Sequence, residues 1–185
     1  MNETSDEALV ASVVTARDTA AFEALVRRHQ SKVRNWLRQL TKDSTRADDL
    51  AQETFIRAWN RAHTFTGRGK FSSWLMKIAY NNFLQARRDD ARQARFAAAA
   101  ASAADAAPSA ASGDETPDLA KMLAVLSADE QLVLVLCYAH GLSHSEVADV
   151  IDMPLGTVKS HVQRGKTKIR ERFTIDAAGA RVGRS

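Results

Sequence analysis

Residues 97–117 contain only alanine, serine, threonine, glycine, proline, aspartate and glutamate, and they open on an unbroken alanine run from Ala97 to Ala101. No side chain there is bulky and apolar, so burial cannot offset the entropy lost on ordering the stretch. Alanine alone supports a helical turn or two, which Pro108, Gly113 and Pro117 would stop. The segment therefore predicts a flexible, net acidic linker. Whatever folds must fold on either side of it, in two small units. The expected division is 1–96 for a first domain, 97–117 for the linker, 118–174 for a second domain and 175–185 for a tail.

Both flanking blocks carry helical periodicity and neither shows strand alternation, so the fold class expected is all-α, with two small helical domains. In the first block Phe22, Leu25, Val26, His29, Val33, Trp36, Leu37 and Leu40 recur at spacings of three and four, one face of an amphipathic helix. A second stripe comprises Ala47, Leu50, Ala51, Thr54, Phe55, Ala58 and Trp59. Ser44 or Thr45 can cap its start, and Asp48 and Asp49 in the first turn would suit the helix dipole. With that stripe inward, Asp48, Asp49, Gln52, Glu53 and Ile56 lie away from the core as an acidic strip beside an apolar side chain. A third stripe runs through Phe71, Trp74, Leu75, Ile78 and Ala79 toward Phe83, leaving Lys77, Tyr80, Asn81, Leu84, Arg87 and Arg88 more outward. Trp74 and Ile78 are expected in the core. The loop from His63 to Lys70 contains two glycines that free its backbone.

In the second block Leu119, Met122, Leu123 and Leu126 suggest one helix. Ser127 with Glu130, and Ser143 with Glu146, have the spacing of capping boxes that open two more. Asp152-Met153-Pro154 breaks the chain, and a last helix follows with Val158, Val162, Gly165 and Ile169 inward. A short helix, a tight turn and a helix with a basic outer face make a helix-turn-helix. Its outward positions are Thr157, Lys159, Ser160, His161, Gln163, Arg164, Lys166 and Lys168, side chains able to donate to phosphates and base edges. Gly165 among the inward positions would permit close packing.

The net charge of +4 and pI of about 9.5 suit a polyanionic partner. Cys137 is the one cysteine, so no internal disulfide forms and a reducing compartment fits. Met1 to Glu7 is polar and acidic, unlike a secretory signal, and no apolar run approaches the roughly 18 residues that span a bilayer. A cytoplasmic protein with no direct membrane insertion is expected. No nucleophile–base pairing stands out, and Gly67-Arg68-Gly69-Lys70 lacks the spacing of a P-loop. Cys137, His140 and His144 invite a zinc reading, but Cys137 falls on an apolar face and the histidines flank a helix break. No enzyme, no metal and no cofactor are expected.

The run from Leu142 to Ala148, then Pro154-Leu155-Gly156-Thr157-Val158-Lys159-Ser160, then Arg164-Gly165-Lys166, resembles the fourth region of bacterial sigma factors. That resemblance implies a last helix that reads the −35 promoter element in duplex DNA. His161 stands where the family often has arginine. The motif is also similar to LuxR-type regulators, so a free-standing DNA-binding regulator stays open on this half alone. The other half decides between them. Asp48 to Trp59 resembles the second region of sigma factors, implying that Asp48, Asp49, Gln52, Glu53 and Ile56 bind core RNA polymerase. Phe71 to Asn82 resembles the helix that reads the −10 element. The implied contacts to the melted −10 strand are Phe65, Arg68, Lys70, Lys77, Tyr80, Asn81, Asn82, Arg87 and Arg88. Phe65 could stack on a base or equally plug the bundle. With no room for a middle domain, the chain resembles the small extracytoplasmic-function (ECF) class of the sigma-70 family. The resemblance implies core polymerase, promoter DNA and an anti-sigma factor as partners. It also implies a linker threading polymerase channels, where Asp105, Asp114 and Glu115 would mimic nucleic acid.

Overall fold

A computed structural model of the chain describes residues 4–67, 69–100 and 124–182. The linker from 101 to 117, with Asp105, Asp114 and Glu115, lies outside the described residues. The chain separates into two compact units, Met1–Gly113 and Asp114–Ser185. Among the described residues every regular element is helical.

The first unit is built from α1 (Asp6–Ala16), α2 (Thr19–Thr41), α3 (Ser44–Arg61) and α4 (Phe71–Ala100). Helix α2 packs on α1, α3 and α4, and α3 packs on α4. The expected stripes supply the buried centre: Leu25, Val33, Trp36 and Leu37 from α2, Leu50 and Ala58 from α3, Phe71, Leu75 and Ile78 from α4. Each of the first three helices starts on a side-chain cap, from Ser5, Asp18 and Asp43.

Three features depart from the sequence reading. Helix α1 was not anticipated. It holds α2 through Asp6, whose carboxylate accepts from Arg28 at 2.9 Å and meets His29 Nε2 at 2.6 Å. The cap of α3 is Asp43, not Ser44 or Thr45; its carboxylate accepts from the Arg46 amide at 3.0 Å. Asp48 and Asp49 consequently sit beyond the first turn, where the helix dipole has faded. Helix α4 continues through the alanine run as far as Ala100, as the high helix propensity of alanine favours.

The second unit holds α5 (Ala128–Leu134), which runs on as a π-helical turn over Val135–Ala139, then α6 (His144–Ile151) and α7 (Leu155–Val182). Both expected capping boxes are present, with the side chains of Ser127 and Ser143 accepting and those of Glu130 and Glu146 reaching back. The helix expected from Leu119 falls mostly outside the described residues, and its last member, Leu126, is buried in a turn. Helix α7 extends past residue 174 to Val182, so the backbone of most of the expected tail is helical.

Helix α7 crosses α5 closely because position 165 has no side chain. A Cβ on Gly165 would lie 2.6 Å from Leu134 Cδ1 and 3.5 Å from Leu126 Cδ2. Asp152 ends α6 with a left-handed backbone (φ 54°), and Pro154 accepts the first amide bonds of α7. That turn is what aims the outer face of α7.

Candidate functional site

A groove of about 590 Å³ runs between α2 and α3. Its floor is apolar, from Phe22 and Val26 on α2 and Phe55 and Trp59 on α3. All four were expected in the core, but they are only half-buried. The apolar stripes are wider than the bundle can cover, and their shared edge becomes a surface able to receive another apolar side chain. Asp48, Asp49, Gln52 and Ile56 line the same groove, so four of the five residues assigned to polymerase binding come together. Ile56 is 55% exposed.

The acids of this rim differ in availability. Asp48 is held by Arg34 at 3.0 Å and Arg38 at 3.4 Å, so it fastens α3 to α2. Asp49 is exposed and has no ion-pair partner among the described residues. Glu53 lies off the groove on the flank of α3, paired with Arg57 one turn on.

The loop after α3 begins with a 3-10 turn, Ala62–Thr64. Gly67 and Gly69 both take positive φ, 73° and 85°, which side chains with a Cβ rarely adopt. Phe65 folds back so that its ring lies 5.7 Å from Phe71 and 5.8 Å from Trp74, centre to centre. It anchors the loop with part of its ring still exposed. Trp74, expected in the core, is half-buried at this aromatic edge. Arg68 lies outside the described residues. Lys70 is exposed, and its carbonyl accepts from the amides of Ser73 and Trp74 as α4 begins.

Along α4 the structure sorts the assigned residues. Lys77, Asn81, Arg87 and Arg88 are exposed. Tyr80 is half-buried, its ring stacked 5.9 Å from Trp36. Asn82 is a correction: it is 2% exposed, and its amide donates to the Thr54 hydroxyl at 3.1 Å. Thr54 in turn donates to the Leu50 carbonyl at 2.7 Å. Asn82 thus joins α4 to α3 inside the bundle and presents nothing to DNA.

On α7, Thr157, Lys159, Ser160, Gln163 and Arg164 form the exposed face. His161 is half-buried, with Nδ1 3.3 Å from an Arg164 nitrogen. Lys166 leans over the Tyr138 ring at 5.1 Å. Lys168 is a second correction. It turns back to donate to Glu130 at 2.8 Å, and the Arg164 guanidinium stands 3.9 Å from the same carboxylate. Glu130 is 3% exposed. The Lys168 bond and the Ser127 amide hold its carboxyl below the usual carboxylate range, against the opposing effect of burial. Sequence reasoning found Glu130 as a cap and missed it as the anchor of α7, since its partner is 38 residues away. Burial pushes the Cys137 thiol up, with Lys166 acting the other way. Among the described residues no group of three potential ligands is gathered for a metal, and no helix is long and apolar enough to cross a membrane.

Comparison with known proteins bears on both units. The family Sigma-70 region 2 matches residues 25–93, and Sigma-70 region 4 matches residues 117–169. The chain is 32% identical over 180 residues to the ECF RNA polymerase sigma factor SigE of Mycolicibacterium smegmatis, covering 91% of this chain and 69% of that protein. It belongs to the ECF RNA polymerase sigma factors of the sigma-70 family. The ECF sigma-E factor of Haemophilus influenzae is 30% identical over 184 residues, covering 91% of this chain and 95% of its own. Among solved structures, the sigma factor RpoE of Bartonella quintana, in complex with the anti-sigma factor NepR, matches with a TM-score of 0.65 and 25% identity, over 84% of this chain and 98% of that one. This ECF sigma factor directs RNA polymerase to promoters. The LuxR-type alternative is not favoured, because region 2 accounts for the unit that such a regulator would lack.

Proposed function

We propose that this sigma factor docks on core RNA polymerase through the groove between α2 and α3. Phe22, Val26, Phe55 and Trp59 would receive an apolar side chain of a polymerase helix, while Asp49, Gln52 and Ile56 contact its flanks. Asp48 serves the site by holding α3 against α2, and Glu53 contributes through charge at its edge. The melted −10 strand meets the loop from His63 to Lys70 and the exposed Lys77, Asn81, Arg87 and Arg88 of α4. The −35 duplex meets Thr157, Lys159, Ser160, Gln163 and Arg164 on α7, with His161 beside them. The boundaries near residues 96, 117 and 174 are assigned to the same division of labour. An anti-sigma protein is a further proposed partner, since the Bartonella quintana relative is found with one. Such a partner would act on a cytoplasmic sigma factor, and could hold it at the membrane.

The observation that carries the docking assignment is the apolar floor left half-exposed beside Asp49, an exposed carboxylate with no ion-pair partner among the described residues. The test is capture of core polymerase by the full chain and by an Asp49→Lys, Ile56→Asp variant. Asp48 is left intact because Arg34 and Arg38 depend on it. Wild-type capture that is lost in a variant with unchanged unfolding supports the assignment. Undiminished capture by the variant moves the docking face elsewhere, and a folded wild type that captures nothing overturns the reading.

A further inference from the structure

The residue that ends α1 holds a backbone that its side chain does not favour. Arg17 has φ 53°, in the left-handed region, and its amide donates to the Val13 carbonyl at 3.0 Å. Glycine takes that conformation with no Cβ penalty, so stopping the helix gives no reason for an arginine. The side chain supplies one. Its guanidinium lies over the Trp59 ring, 4.7 Å from the centre, while Phe22 meets the same ring edge-on at 5.0 Å. Phe22 and Trp59 belong to the floor of the groove between α2 and α3, so Arg17 stands at its rim. Because α2 and α3 run antiparallel, Phe22 meets Trp59 at one end of the groove and Arg34 meets Asp48 at the other, at 3.0 Å. From Asp48 to Trp59 the distance along α3 is about 16 Å at 1.5 Å per residue. Exposed Asp49 marks one end and exposed Arg17 the other, and neither makes an ion pair among the described residues.

We propose that Arg17 is a further docking residue of this groove, a receptor for a carboxylate on the polymerase segment that fills it. The inference rests on the assignment of the groove to polymerase, and it adds the direction in which the segment lies. A docked helix with a basic side chain over Asp49 presents an acidic one to Arg17 about three turns away on the same face. Stacking on Trp59 covers only the face of the guanidinium. The N–H groups lie in its plane and remain available to donate, in the fork that fits a carboxylate. Held against the ring, the side chain also has less freedom to lose on binding. A nucleic-acid phosphate fits less well, because the floor is apolar and the far rim carries Asp48 and Asp49, which repel a polyanion.

The test measures the affinity of core polymerase for the full chain as wild type, Arg17→Lys, Arg17→Gly and Arg17→Glu. Glycine relaxes the backbone as it removes the guanidinium, so relief at φ 53° should offset the lost ring contact and unfolding of the first unit should hardly change. Affinity for core should nevertheless fall about three- to tenfold. Lysine keeps the charge and should keep most of the affinity. Glutamate would face a carboxylate and should bind more weakly than glycine. A glycine variant that binds core as the wild type does overturns the proposal, and so does a glutamate variant no weaker than glycine. Stability and affinity falling together in the glycine variant would make Arg17 a structural clip on Trp59, which also overturns it. Unchanged core affinity with weaker promoter binding by the holoenzyme would assign the anion to DNA phosphate, with the same consequence. The Asp49→Lys, Ile56→Asp variant judges the groove itself. If that variant captures core undiminished, the docking assignment fails; if it loses capture while Arg17→Gly does not, only the role of Arg17 falls.

Discussion

Replacing Glu130 by glutamine removes one charge and almost no volume, so its effect isolates the electrostatic tie between α5 and α7. In the wild type one carboxylate oxygen accepts from the Ser127 amide at 2.9 Å and from Lys168 at 2.8 Å. Glutamine can still accept from Ser127 through its carbonyl, but it offers no charge to Lys168. A hydrogen bond to a charged group contributes about 1.5–3 kcal/mol. The Lys168 side chain is 43% exposed and can turn to water, which reduces the loss. The expected cost is about 1–2 kcal/mol, below the roughly 3–5 kcal/mol for breaking a fully buried pair. Native-state hydrogen exchange of the full chain measures it. Amides of α5 and α7 should lose about five- to thirtyfold in protection, with the first unit serving as an internal reference. The pH dependence provides a second check. The carboxyl titrates below its ordinary value of 4.5 in the folded state, so its stabilisation is full above that value. It is lost as pH falls through the folded value. The gap between wild type and variant should therefore be constant near neutrality and close in acid. Unchanged protection at neutral pH, or a gap that widens in acid, would refute the reasoning.

Three further outcomes follow from particular contacts. Gly165→Val would drive a side chain into Leu134 and Leu126 and should destabilise the second unit by roughly 2–3 kcal/mol, read by the same exchange; a stabilised variant would contradict the close crossing. Thr54→Val strands the Asn82 amide inside the first unit and should cost about 1–3 kcal/mol. Unfolding followed by tryptophan fluorescence isolates that effect, because Trp36, Trp59 and Trp74 all lie in the first unit. Arg164→Ala should weaken promoter selection by about 1–3 kcal/mol if the guanidinium makes a bidentate base contact. An unchanged preference among −35 sequences would exclude that contact.

Short-range chemistry was legible in the chain. Both capping boxes depend on residues three apart, and they form where the spacing says they should. The inward position of Gly165 followed from the period of one helix. Helix α1 could have been found the same way, from Ser5 as cap, Asp6 and Glu7 in the first turn, and Val10 and Val13 at helical spacing. Residues at the edge of a stripe were harder. Phe22, Val26, Phe55 and Trp59 have the apolarity of core residues, and one helix cannot tell whether its neighbour reaches far enough to cover them.

The sequence by itself determined that the chain is helical and that its second half ends in a helix-turn-helix, because periodicity, caps and breaks act within a few residues. Its motifs were also sufficient to relate both halves to sigma factors. Only the tertiary structure decided which polar groups remain for partners. Lys168 is drawn to Glu130, Asp48 to Arg34 and Arg38, and Asn82 to Thr54, each across a helix boundary. Asp49, Gln163 and Arg95 occupy similar local contexts and stay exposed. A polar side chain's free energy depends on whether an opposite charge or a hydrogen-bond partner lies within about 3 Å, and helix packing sets that distance.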